Sequence, residues 1–130
     1  EIDFQSPVRG VATSGWKGRS QSLGIADAVT VLAPTTAHAD AAATLIANAV
    51  NINHPAIIRK PASELVDNSD IGEFLVTIEV GRLPDSGVND ALERGIERAK
   101  YFINQGWIET AYLSLQQNTR IVQNPESRKS

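Results

Sequence analysis

Residues 28–50, AVTVLAPTTAHADAAATLIANAV, decide the fold class. Ala28 to Ala33 is short, apolar and β-branched, the pattern of a buried strand. Pro34 ends it, because proline has no amide hydrogen to continue a ladder. Thr35 or Thr36 then supplies a hydroxyl oxygen for the unpaired amides of a helix's first turn. Seven alanines between 37 and 49 carry that helix to about Val50 and keep it thin enough to approach a sheet closely. A strand followed at once by a helix that must lie against it is the seed of an α+β fold.

Working outward, the periodicity alternates between two and 3.6. Upstream, Ile2 to Ala12 is an interrupted extended segment, with Pro7 and Gly10 marking an edge whose pairing partner is expected upstream. Thr13 to Gly24 reads as a loop of glycines and hydroxyls. Downstream, Ala56 to Leu65 is extended, and Val66 to Gly72 forms an acidic turn. Phe74 to Val80 alternates as a half-buried strand. From about Val88 to Gln105 the apolar residues Val88, Ala91, Leu92, Ile96, Ala99, Phe102 and Ile103 share one helical face, with Gly106 as the residue that stops the helix. Trp107 to Gln116 is a further strand, and a turn at Gln117 to Thr119 leads to a last short one at Arg120 to Val122. The expectation is one α+β unit over residues 1–130, a sheet with two packed helices.

Composition narrows the function. The chain has 130 residues, 12 basic and 15 acidic side chains and no cysteine, which removes thiolate catalysis and Cys-ligated metals. Charge is spread without a basic stripe, so neither nucleic acid nor an anionic membrane is the expected partner. The most apolar window, 37–50, is too short and too polar to span a bilayer. The sequence opens on no charged and apolar stretch of the signal-peptide kind, and a cytoplasmic location is the expectation. The chain opens on Glu1 and contains no methionine, which leads to the expectation that it is the C-terminal part of a larger unit. A preceding precursor segment or a separate chain would complete that unit, and the protein is expected to be an oligomer.

Two groups of residues could carry chemistry. Asp40 and Thr44 stand four apart on the first helix and project from one face, where a carboxylate and a hydroxyl suit a hard cation such as Mg²⁺. The plain alternative is that Asp40 answers the helix dipole and Thr44 bonds back to a carbonyl. In the loop from Ala12 to Ser22, Thr13, Ser14, Gly15, Lys17 and Arg19 could cradle a small anionic ligand with hydroxyls, amides and positive charge. Ser14 with Lys17 also fits the minimal S-x-x-K of hydrolases whose serine is activated by lysine. In that reading Ser14 or Thr13 attacks an amide or ester carbonyl and Lys17 takes the proton. His38 and His54, 16 positions apart, match no common zinc spacing and read as surface or capping residues. Trp16, alone in its glycine-rich loop, must fold back on the core or meet a ligand.

Thr13-Ser14-Gly15, the strand at 28–33 and Ala39-Asp40-x-x-x-Thr44, in that order within residues 10–50, resemble the C-terminal half of the ApbE superfamily. Its characterised members use Mg²⁺ and FAD to attach FMN to a threonine of another protein. The chain is more closely similar to an ApbE-like family of bacteria and archaea, through Arg59-Lys60-Pro61-Ala62, the turn at 67–72 and Val76 to Gly81. The resemblance implies half of a T-fold-like domain. It also implies Mg²⁺ at Asp40 and Thr44, and FAD or FMN beside Thr13, Ser14 and Gly15. Between Trp16 and Ala26 the chain lacks the histidine and the Asp-Pro-x-Thr-Gly motif that the transferases carry there. Three functions follow as expectations. The first is an ApbE-like protein or subunit that binds an anionic or flavin-type molecule with a divalent metal, for FAD pyrophosphate cleavage or FMN transfer. The second is the Ser/Thr–Lys hydrolase subunit, and the third a non-catalytic subunit that completes a partner's fold.

Overall fold

A computed structural model describes residues 9–16, 23–61 and 75–124. The element order is β1 (Gly10–Ser14), β2 (Ala28–Ala33), α1 (Thr36–Ala49), β3 (Ile57–Pro61), β4 (Leu75–Val80), α2 (Asp85–Asn104), β5 (Thr110–Leu115) and β6 (Asn118–Gln123). This is the α+β class that the alternating periods imply. The strands form two antiparallel sheets rather than one: a four-stranded sheet of order β1-β2-β5-β6 and the β3-β4 pair. Both helices pack with the four-stranded sheet, α1 on β1 and β2 and α2 on β5 and β6.

β1 is an edge strand, as Gly10 and the broken pattern suggest, but its partner is the downstream strand β2. Thr13 and Ser14 are correspondingly not loop residues. They continue the ladder opposite Thr30 and Val29, because threonine and serine fit the exposed side of an edge strand without an apolar alternation to announce it. The first eight residues, the acidic turn at 66–72 and Phe74 lie outside the described residues.

The two helices are stopped and started by different chemistry. Thr35 caps α1: its side chain accepts from the amide of His38 at 3.0 Å, and its hydroxyl lies 2.8 Å from His38 Nδ1. α2 starts at Asp85, three residues before the apolar stripe begins, because Pro84 enters the first turn without needing an amide partner of its own. At its other end Gly106 adopts φ +78°, the Gly106 amide bonds Ile103 O and the Trp107 amide bonds Phe102 O, each at 3.0 Å. Trp107 therefore belongs to the helix stop, its ring 5.5 Å from that of Phe102, and the next strand begins only at Thr110. The last hairpin turns at Gln116 and Gln117 rather than at Gln117 to Thr119, so β6 begins at Asn118, two residues earlier than the sequence suggests.

The core lies between helices and sheet, built from Val29, Val31, Ile46, Val50, Leu92, Ile108, Leu113 and Leu115, with Ile57 from β3 joining it. One close approach within it is at Gly95 on α2. A Cβ there would stand 2.6 Å from Leu113 Cδ2 and closer still to Val50 Cγ2, both on fully buried side chains, so α2 can approach α1 and β5 only with glycine at this position. The end of α1 is closed by positive charge from elsewhere. Arg94 on α2 donates to Asn51 O at 3.1 Å and Arg59 on β3 donates to Asn51 Oδ1, beside the carbonyl end of the helix dipole. Burial there pushes the Arg59 guanidinium below its usual pKa. Among the described residues no helix is long and apolar enough to cross a membrane.

Alanine ordinarily stabilises a helix interior by about 1 kcal/mol over glycine. Gly95→Ala should do the reverse, lowering unfolding stability by about 1–3 kcal/mol through overpacking. Urea denaturation checks this; an unchanged or raised midpoint contradicts the packing.

Candidate functional site

Two anchors align α1 with β1. Gly10 lies against the backbone of Thr35 and Thr36 at one end, and the Ile25 amide donates to Val50 O at 2.8 Å at the other. The helix therefore runs in the same direction as β1. At about 1.5 Å per helical residue and about 3.3 Å per strand residue, Thr44 stands at roughly the height of Ser14.

Asp40 and Thr44 are both exposed on α1, and Thr44 Oγ1 donates to the Asp40 carbonyl oxygen at 3.2 Å. This is the back-bond expected of a helical threonine. As the hydroxyl is the donor, its lone pairs stay available, and the Asp40 carboxylate has no hydrogen bond or ion pair among the described residues. Two hard oxygens thus share one face, which suits a cation whose remaining positions are filled by water or ligand oxygen. Among the described residues no three His, Asp or Glu side chains converge to form a larger cation cage.

The Thr13 segment ends β1 at the other candidate position. Thr13 is exposed, with Oγ1 2.9 Å from Thr30 Oγ1 across the strand pair. Ser14, one residue on, faces the opposite side of the sheet, the helix side, so the two hydroxyls cannot act on one reacting atom from a regular strand. Gly15 is buried with no room for a side chain: a Cβ would meet the Asp27 carbonyl group, its carbon at 2.9 Å. Trp16 folds back, its amide donating to Ala26 O at 3.0 Å and its indole Nε1 to Asp27 Oδ1 at 3.2 Å. Lys17 and Arg19 lie outside the described residues. Among the described residues no hydrogen bond joins Thr13 or Ser14 to Asp40 or Thr44. The histidines serve local structure, His38 at the α1 cap and His54 by accepting from the Ala56 amide at 3.0 Å.

Residues not signalled by the sequence complete this end of the sheet. Asp27 accepts from Trp16 through one carboxylate oxygen and from the Gln116 amide, at 2.7 Å, through the other. Gln116 then clamps the loop before α2, its Nε2 donating to Gly81 O at 2.7 Å and its Oε1 accepting from the Leu83 amide at 2.9 Å. Gln116 and Gln117 form the two-residue hairpin turn with φ of 47° and 71°. Each non-glycine residue in that left-handed region costs about 1–2 kcal/mol, and such turns ordinarily use Asn-Gly. A cavity of about 390 Å³ opens between this turn and the start of α2, within the size range of small-molecule sites.

A family model described as AbpE bacteria matches residues 1–121. The chain belongs to the AbpE bacteria family. The AbpE match takes in every candidate residue, Thr13, Ser14, Gly15, Lys17, Arg19, Asp40 and Thr44, together with the Asp27–Gln116 connection. No curated protein and no solved structure matches this AbpE chain.

The two glutamines should separate in sign. Gln117→Gly relieves left-handed strain at a residue whose side chain makes no hydrogen bond among the described residues and should raise stability by about 1 kcal/mol. Gln116→Gly relieves similar strain but loses both carboxamide bonds to the 81–83 loop and should lower stability by about 1 kcal/mol. Thermal denaturation of the two variants distinguishes them, and shifts of the same sign would contradict the clamp.

Proposed function

We propose that this AbpE-family chain binds a flavin-type or other anionic small molecule together with a divalent cation. Asp40 and Thr44 hold the cation, and Ser14, Gly15 and Arg19 take part in holding the ligand, with Thr13 on the opposite face of the same strand. The observation that carries this reading is the state of the α1 pair: among the described residues, an exposed carboxylate without a partner and a hydroxyl whose hydrogen bond is one it donates. Hard oxygens so placed fit Mg²⁺. When bound, the cation supplies positive charge against a phosphate group, as FAD pyrophosphate cleavage or FMN transfer requires. The protein's own contribution is positional. α1 lies against Gly10 of β1 at one end and accepts from the Ile25 amide, just before β2, at the other, and Gly15 allows the backbone to pass close to Asp27.

Calorimetry on the full-length protein tests this. FAD and Mg²⁺ should each bind more tightly in the presence of the other. Asp40→Ala should abolish the Mg²⁺ dependence, and Thr44→Ala should weaken Mg²⁺ by about tenfold or more. Binding of neither component, or unchanged Mg²⁺ affinity in Asp40→Ala, would reject the reading.

A further inference from the structure

The strained hairpin turn borders the 390 Å³ cavity, and both of its residues carry side chains where glycine would be free of strain. Gln116 is accounted for, since it clamps the 81–83 loop. Gln117 is not: it stands at φ 71°, exposed, and lines the cavity. The two-residue turn needs a left-handed φ at this position, which glycine would supply without strain, so it is the glutamine side chain at 117 that the fold does not account for, and a cost so retained points to function.

The rest of the lining sets the chemistry. Arg82 and Asp85, of opposite charge, both face the cavity, and among the described residues neither forms an ion pair or hydrogen bond, with each other or otherwise. Leu83 and Val88 are buried and give the cavity an apolar floor. Asn118 donates its Nδ2 to Gln116 O at 3.0 Å, which leaves its Oδ1 as an acceptor. A guanidinium is matched by a carboxylate, and a carboxylate by an ammonium. A ligand carrying both, with a short uncharged body against Leu83 and Val88, satisfies the whole lining at once; a ligand of single charge leaves one lining charge unanswered.

We propose that this cavity binds a small zwitterion of the α-amino-acid class, its carboxylate on Arg82, its ammonium on Asp85, and its uncharged part between Leu83, Val88 and the Gln117 and Asn118 carboxamides. The site is separate from Asp40 and Thr44 and does not depend on flavin binding.

The experiment is calorimetric titration of the full chain with L-glutamine and L-leucine, using acetate and methylammonium as single-charge controls. At least one amino acid should bind with a dissociation constant in the millimolar range or tighter, at least about tenfold better than either control. Arg82→Gln and Asp85→Asn should each weaken it by about tenfold or more. Gln117→Gly should weaken binding while the fold gains thermal stability, a pairing that general destabilisation cannot produce. The proposal is overturned if neither amino acid binds up to about 10 mM, if acetate or methylammonium binds as well as the amino acids, or if the charge variants bind like the parent.

Discussion

Asp27 joins parts of the chain that are far apart in sequence. One carboxylate oxygen fixes the indole of Trp16 at the end of β1, and the other fixes the amide of Gln116, 89 positions away, at the hairpin between β5 and β6. Through the Gln116 carboxamide the connection extends to Gly81 and Leu83, just before α2 begins. One exposed aspartate thus ties four separate segments at the same end of the four-stranded sheet. An ionised acceptor makes stronger hydrogen bonds than a neutral one, and this helps offset the left-handed strain that Gln116 and Gln117 introduce.

The packing of the helices is organised by size rather than charge. Gly95 lets α2 close on Val50 and Leu113, and the alanine-rich face of α1 lets that helix lie close to β1 and β2. These contacts hold α1 in a fixed position along β1. The exposed pair Asp40 and Thr44 is therefore carried on a rigid support, while the turn with its cavity rests on a small hydrogen-bonded assembly. The first arrangement suits an inorganic ion that needs few, well-placed oxygens, and the second a ligand recognised by several polar groups.

Much of the fold was legible because its signals are local. The strand at 28–33 and the Thr35 cap follow from neighbouring residues, as does the stop at Gly106, and each stands where the sequence places it. The Asp40 and Thr44 pair was legible for the same reason, four positions being one helical turn. What was not legible depends on distant partners. Thr13 and Ser14 have no apolar alternation, and their strand identity comes from pairing with Thr30 and Val29. Gln116 and Gln117 are poor turn formers in isolation, and their turn exists because Asp27 and the 81–83 loop hold it. The division into two sheets likewise depends on which strands meet, which no single segment encodes.

Amide hydrogen exchange on Asp27→Ala tests the central connection most directly. The amides of Gln116 and Leu83 donate to Asp27 and to the Gln116 side chain respectively, and Trp16 is held by the same carboxylate. In the variant the amides of Gln116 and Leu83 and the indole N–H of Trp16 should lose protection together, while the amides of Ala43 and Ile46 in the buried face of α1 keep theirs. Parent-like protection at Gln116 and Leu83, or equal loss throughout α1, would contradict the role given to Asp27.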